Sequence, residues 1–161
     1  MRVLIIGAGD IGFQLAKQLS LDKHDITIVE LDPQKVRRAR EQLDAIVIEG
    51  HGESVRVLKE ADIEHTDIVA AMTDSDGVNL LACMLARKSG AGSTIARVRN
   101  PELTDPDCLV DAEDFGADLI IHPEKETAEA IVRLIRQTSA TDVLHFAEGK
   151  IEVVGMRLEG N

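Results

Sequence analysis

The sequence predicts an α/β fold in which a doubly wound, parallel sheet of six strands carries helices on both faces. Short apolar runs recur at intervals of roughly 20 residues, and helical patterns separate them. The first run leads directly into three closely spaced glycines, which is the order of strand, tight turn and helix in a nucleotide-binding βαβ unit. After the sixth run and one further helical pattern, the residues alternate as they do in a β-hairpin.

The apolar runs define the predicted strands, which span 3–6, 24–29, 45–48, 67–72, 94–98 and 118–121. The intervening and following segments define the predicted helices, which span 10–21, 32–41, 54–60, 77–88, 105–114 and 123–137. Asp32 suits the N-cap of the second helix and Pro33 its first position, while Gly116 suits a helix C-cap.

The six strands complete the doubly wound sheet by about residue 122, and the chain beyond it is surplus to this sheet. Residues 141–147 and 151–158 flank Gly149 and Lys150 and predict a β-hairpin. Since an isolated hairpin is not stable in water, we expect either a second domain of which only the start is present or pairing with another subunit. The predicted organisation is a nucleotide-binding domain over 1–137 and the start of a truncated C-terminal domain over 138–161.

The glycine-rich turn is the first candidate binding element. Gly7 allows a sharp turn, Gly9 lets a phosphate approach the backbone, and Gly12 lets the helix pack closely on the strand. The first helical turn, in which Ile11 lies, has free backbone N–H groups. Together with the positive end of the helix dipole, these N–H groups form an anion site. Asp10 places a carboxylate beside that site, and we interpret it as the N-cap of the first helix.

The second half of the nucleotide fingerprint is an acidic residue after the second strand. Glu30 stands there, 18 residues after Gly12, and Leu31 follows it. A carboxylate in this position can accept hydrogen bonds from both ribose hydroxyls of an adenosine and repels a 2′-phosphate. The predicted ligand is therefore NAD(H) or an adenine nucleotide rather than NADP(H), with Ala8 and Leu31 in the same site.

Polar residues at the ends of the other strands extend this candidate site, because ligands bind outside the carboxyl ends of parallel strands. His51, followed by Gly52, either lies against an adenine or belongs to a simple turn. Thr73 and Asp74 either bind phosphate or ribose or cap the next helix. Arg97 either neutralises a diphosphate or forms a salt bridge with a local carboxylate.

Composition excludes several classes of function. The net charge of −11 argues against a nucleic-acid partner, and the sequence has neither a basic amphipathic segment for lipid insertion nor an apolar run long enough to span a membrane. The chain begins directly with a core strand, so we expect no signal peptide. Cys83 and Cys108 lack metal-ligand spacing and are expected to be free thiols, which favours a cytoplasmic protein.

Catalytic motifs are also missing from the sequence. Tyr is absent, so no Tyr-x-x-x-Lys pair exists, and we find no P-loop lysine or nucleophile elbow. No residues remain to build a substrate domain within this chain. The nucleotide is therefore interpreted as a signal rather than a reagent, and the alternative is the cofactor-binding half of an NAD-dependent oxidoreductase.

Several segments together resemble a known family. These are the opening residues 1–12, the second strand and its end at 26–32, and the segments 49–52, 73–76 with Asn79, 96–99, 122–124 and 146–150. In order and across nearly the whole chain, they resemble the RCK/KTN family of regulators of potassium conductance. The closest resemblance is to the N-terminal NAD-binding domain of peripheral subunits of Trk-type potassium uptake systems.

This resemblance implies a Rossmann-type domain that is peripheral at the inner face of the cell membrane, where it regulates an integral-membrane potassium transporter subunit. Such domains form dimers or larger rings and bind NAD(H), ATP or ADP. The resemblance adds Glu124 to the site and implies that helix 123–137 crosses between subunits. Several relatives carry a basic residue where this chain has Asp10, so the resemblance leaves the preferred nucleotide open.

Overall fold

The computed structural model describes residues 1–104, 113–136, 142–146 and 151–155. The chain divides into two compact units, Met1–Pro123 and Glu124–Asn161, and each unit is described by itself. The predicted helix over 105–114 lies almost entirely outside the described residues. The division of the chain into domains at residue 137 stays a prediction.

The first unit contains a six-stranded, all-parallel sheet with the strand order β3-β2-β1-β4-β5-β6. The strands are β1 Arg2–Ile6, β2 Asp25–Glu30, β3 Ile46–Glu49, β4 Ile68–Ala71, β5 Ser93–Arg97 and β6 Leu119–Ile121. The predicted fold class, a Rossmann-type doubly wound α/β sheet, is confirmed. Since the order reverses between β1 and β4, a crevice opens at the carboxyl ends of these two strands.

The helices of the first unit begin and end within a few residues of their predicted limits. They are α1 Asp10–Leu21, α2 Pro33–Gln42, α3 Val55–Glu60 and α4 Asp76–Ser89, and short 3-10 helices occur at Ile63–His65 and Pro101–Thr104. The Asp32 carboxylate accepts a hydrogen bond from the Gln34 N–H at 2.8 Å and caps α2, as predicted. The 3-10 helices were not predicted, because three or four residues are too few to show a helical period.

The N-cap of α1 differs from the prediction. Gly9 occupies that position with extended backbone angles, and Asp10 is the first helical residue. The interpretation of Asp10 as the N-cap is therefore wrong, because the chain enters the helix one residue earlier. At its actual position, the exposed Asp10 carboxylate complements the positive end of the helix dipole.

The core lies on both faces of the sheet, and the central strand β1 contributes to each side. Ile5 packs in a cluster with residues from α1 and α2, whereas Leu4 packs in a cluster with residues from α3 and α4. Both side chains are fully buried. Burial of one such side chain contributes about 1.5–3 kcal/mol, so β1 is firmly anchored and its carboxyl end is a rigid base for the turn that follows.

Helix α5, Pro123–Arg136, belongs to the second unit from Glu124 onwards. The same unit contains an antiparallel hairpin formed by β7, Asp142–Phe146, and β8, Ile151–Gly155. The hairpin and the last helix agree with the predicted elements. On α5 the side chains of Ile131, Leu134 and Ile135 are each more than half exposed. In the part of the chain that the structure describes, none of the helices has the length and apolar character needed to cross a membrane.

Candidate functional site

A cleft of about 390 Å³ lies at the carboxyl ends of β1, β2, β3 and β4. The cleft wall contains these predicted site residues: Gly7, Gly9, Glu30, Leu31, His51, Gly52, Thr73 and Asp74. Of the remaining predicted residues, Ala8 belongs to the glycine turn and Asp10, Ile11 and Gly12 to the first turn of α1. The structure thus brings most of the predicted residues together at the crevice that the strand order creates.

Two glycines of the turn are required by the fold itself. Gly7 has a φ of +99°, and a Cβ there would lie 3.0 Å from the backbone nitrogen of Thr73. A Cβ at Gly12 would lie 1.9 Å from the carbonyl oxygen of Gly7. These two positions allow the tight turn and the close approach of α1 to β1, as the sequence predicted.

Gly9 is different, because nothing in the fold requires a glycine there. A Cβ at this position would have no heavy atom within 4 Å, and the φ of −64° suits any residue. Gly9 nevertheless lines the cleft and precedes the first turn of α1, whose leading N–H groups have no acceptor within the helix. Gly9 thus combines open space around an added Cβ with a place in the cleft wall.

Glu30 connects the loops on either side of it. Its carboxyl group, in a residue only 8% exposed, accepts three backbone hydrogen bonds: Oε2 from the Ala8 N–H at 2.5 Å, and Oε1 from the Leu31 and Asp32 N–H groups, each at 2.8 Å. A carboxylate has about four lone-pair sites, so about one acceptor position is left. Glu30 can therefore accept from one ribose hydroxyl while it holds the glycine turn against the β2–α2 loop.

The turn after β3 places His51 and Gly52 in the cleft wall. A Cβ at Gly52 would lie 2.3 Å from Cγ2 of Ile6, so this glycine lets the turn pack against β1. The His51 side chain is 62% exposed, with Nδ1 3.6 Å from Oε1 of Glu53. His51 is thus positioned at the cleft by a tightly packed turn, and its contact with adenine stays a prediction.

Thr73 is held by a residue that the sequence analysis did not assign to the site. Asn79 of α4 is fully buried, and its Oδ1 accepts from the Thr73 N–H at 2.9 Å and the Thr73 hydroxyl at 2.7 Å. Its Nδ2 donates to the Thr73 carbonyl at 3.0 Å and the Arg97 carbonyl at 2.8 Å. The sequence did contain a signal for this role, namely one amide side chain among the apolar residues of α4. A buried amide needs several hydrogen-bond partners, so it indicates polar groups nearby. Ser75, rather than Thr73 or Asp74, caps α4.

Arg97 lies behind the cleft and is not part of its wall. One guanidinium nitrogen, Nη1, lies 2.9 Å from Oδ1 of Asp74, and the side chains are 11% and 71% exposed respectively. Of the two interpretations of Arg97, the local salt bridge is the one that the structure shows. Asp74 thus reaches the cleft wall as a carboxylate whose charge Arg97 balances.

Other predicted and potential groups lie outside this site. Glu124 belongs to the second unit, so its role in the cleft stays a prediction. Cys83 is a free, buried thiol, and desolvation raises its pKa to about 12, so it is unreactive at neutral pH. Cys108 lies outside the described residues. Within the ranges that the structure describes, no group of three or more His, Cys, Asp or Glu residues is arranged to hold a metal ion.

Lys35, in the first turn of α2, also lines the cleft and was missed by the sequence analysis. Its partly buried position depends on where α2 begins relative to β2. The sequence predicted that boundary correctly. It did not show that this lysine, among the many polar residues of α2, is the one that lines the cleft. The wall therefore combines Lys35 with the carboxylates of Glu30, Glu53 and Asp74.

Comparison with known proteins gives consistent matches. A family model described as the TrkA-N domain matches residues 3–123. The chain is 38% identical over 162 residues to a Trk system potassium uptake protein TrkA homolog from Archaeoglobus fulgidus. This alignment covers 100% of this chain and 36% of that protein. It is 34% identical over 161 residues to a TrkA homolog from Methanothermobacter thermautotrophicus, and this alignment covers 100% of this chain and 72% of that protein.

A solved structure described as the GsuK channel bound to NAD aligns with a TM-score of 0.69 and 19% identity, over 91% of this chain and 25% of that chain. At this identity the likeness shows the fold alone. The chain spans little more than a third of the length of the Archaeoglobus fulgidus relative. The matches therefore define a family and a fold for a chain much shorter than that relative.

Proposed function

Since the chain belongs to the TrkA-N domain family, we propose that it is the nucleotide-sensing part of a regulatory subunit of a potassium uptake system. It binds NAD(H) or an adenine nucleotide, ATP or ADP, in the cleft at the ends of β1 to β4. The bound nucleotide acts as a signal to an integral-membrane potassium transporter subunit rather than as a reagent. The curated relatives carry the names of Trk potassium uptake proteins, and the GsuK channel structure is described as bound to NAD.

The observation that carries this proposal is the open space at Gly9. The fold requires glycine at Gly7 and Gly12, but a Cβ at Gly9 would meet no other atom. A side chain there would extend into the space beside the N-terminus of α1, where backbone N–H groups and the helix dipole favour an anion. The glycine thus keeps space for a ligand phosphate that contacts the backbone directly.

The test compares Gly9→Ala with Gly77→Ala in the complete 161-residue chain. Both positions have open space around an added Cβ, but Gly77 does not line the cleft. Gly9→Ala replaces a glycine N-cap at a cost of about 1 kcal/mol, and Gly77→Ala places a better helix former in the first turn of α4, so both variants are expected to fold. Overpacking of a contact surface costs about 1–3 kcal/mol, so Gly9→Ala should weaken nucleotide binding by about 5- to 150-fold.

Isothermal titration with NADH, NAD, ATP and ADP measures this effect. Unchanged binding in Gly77→Ala and weakened binding in Gly9→Ala would support the proposal. A wild-type chain that binds none of these nucleotides would contradict it. Consumption of NADH by the full-length protein with a substrate would instead favour the oxidoreductase alternative.

The proposed partners and location follow from family membership and from α5. Three apolar side chains of α5, Ile131, Leu134 and Ile135, are largely exposed, which supports burial of this helix between subunits of a dimer or larger ring. We place the assembly in the cytoplasm, peripheral at the inner face of the membrane. It contacts the transporter subunit and involves neither nucleic acid nor direct lipid insertion.

A further inference from the structure

The carboxylates in the cleft wall each have a nearby partner group, whereas the lysine in the wall does not. Each wall carboxylate has a nearby group of its own chain: three backbone N–H groups at Glu30, Arg97 at Asp74, and the His51 ring near Glu53. Among the described residues of the wall, Lys35 contributes the only ammonium or guanidinium group. Within the described part of the chain, Lys35 takes part in no ion pair or side-chain hydrogen bond.

Lys35 also shares its cleft wall with the phosphate end of the proposed ligand site. The Glu30 carboxylate bonds to Ala8 of the glycine turn on one side and to Leu31 and Asp32, which lead into α2, on the other. The first turn of α2, which carries Lys35, is therefore tied to the glycine turn through a single residue. Both Lys35 and Gly9 line the same cleft.

The electrostatics of the glycine turn favour a further positive charge nearby. Asp10 begins α1, and Glu30 bonds to the turn, so two carboxylates lie next to the place where a phosphate would bind. The N-terminus of α1 offers only about half a positive charge in compensation. A cation of the cleft would therefore strengthen the binding of a ligand with one or more phosphate groups.

We propose that Lys35 is a ligand-contacting residue whose ammonium group pairs with a phosphate of the bound nucleotide. This inference rests on the proposed function, because it names the residue that makes the same cleft selective for phosphorylated ligands. The phosphate is either in the 5′ chain of the nucleotide or attached to the ribose ring. Both sources present the same oxygen acceptors to an ammonium group.

The experiment titrates three variants of the complete chain with five ligands. The variants are Lys35→Gln, Lys35→Arg and, as the matched control, Lys59→Gln on the exposed side of α3, outside the cleft wall. The ligands are adenosine, AMP, ADP, NAD and NADP, measured by isothermal titration at low and high salt. Thermal unfolding of each variant verifies that the fold is intact.

Lys35→Gln should weaken binding of the phosphorylated ligands by about tenfold and that of adenosine by less than about twofold, because a charge-assisted hydrogen bond is lost only with the former. Lys35→Arg should retain most of the affinity, and Lys59→Gln should match the wild type. The salt dependence of binding should be weaker in Lys35→Gln. An equal loss for AMP, ADP and NAD identifies a chain phosphate, and a loss confined to NADP identifies a ribose phosphate.

The inference is overturned if Lys35→Gln weakens adenosine binding by the same factor as ADP binding, or if no ligand loses affinity. A wild-type chain that binds none of the five ligands overturns the proposed function, and the inference with it. The wild-type titration therefore separates the two failures, because the inference alone fails when the wild type binds and Lys35→Gln either binds every ligand equally well or loses affinity for adenosine and ADP by the same factor.

Discussion

Replacement of Asn79 by leucine removes four hydrogen bonds from the wall of the cleft while keeping a side chain of similar size. The lost partners are the N–H, carbonyl and hydroxyl groups of Thr73 and the carbonyl of Arg97. The Arg97 carbonyl belongs to a buried residue, and removal of a hydrogen bond to a buried acceptor costs about 1–3 kcal/mol. Thr73 is only partly buried, so water can replace some of its bonds at roughly 0.5–1.5 kcal/mol each.

Asn79→Leu should therefore lower the free energy of unfolding by about 2–5 kcal/mol, which is a large fraction of the stability of a small domain. Urea unfolding followed by circular dichroism measures this change, with the midpoint and the slope fitted separately. The control is Asn100→Ala, because the exposed Asn100 side chain accepts one hydrogen bond, from Glu102. If Asn79→Leu unfolds within about 0.5 kcal/mol of the control, the assignment of Asn79 as the residue that fixes Thr73 is wrong.

Two further predictions concern other parts of the chain. Burial raises the pKa of Cys83 from 9.0 to about 12, so the thiol favours the folded state below pH 9 and this contribution is lost as the pH rises from 9 towards 12. In a Cys108→Ser background, alkylation of Cys83 at pH 8 should therefore be slow in the folded chain and fast in urea; equal rates would contradict the burial. Replacement of Ile131, Leu134 and Ile135 by serine should give monomers that still bind nucleotide, because these side chains are largely exposed. Light scattering that still shows dimers would refute the assignment of α5 to a subunit interface.

The fold was predictable because its determinants are local. Apolar runs buried on both faces identify the parallel strands, and capping residues such as Asp32 mark where helices begin. The handedness of the crossovers limits the possible topologies, but the strand order that places the crevice at β1 and β4 came from the structure. The error at Asp10 has the same local origin, since a glycine and an aspartate in succession are both acceptable N-caps and sequence alone does not decide between them.

The polar contacts of the site were less predictable, because they depend on pairs of residues far apart in the sequence. Arg97 pairs with Asp74 across two neighbouring strand ends, and Asn79 reaches both of those ends from α4. A sequence pattern shows that each residue is polar and well placed, but not which of the possible partners it chooses. The alternatives at Arg97 and Thr73 could therefore be stated from the sequence, whereas the choice between them required the structure.

The same distinction explains what Glu30 does in this cleft. The sequence predicts an acid that binds ribose, and the structure shows a carboxylate that already holds three backbone N–H groups. Because those three N–H groups donate to its buried carboxylate, Glu30 holds the glycine turn against the loop that precedes α2 before any ligand is present. Its remaining acceptor capacity suits a single ribose hydroxyl.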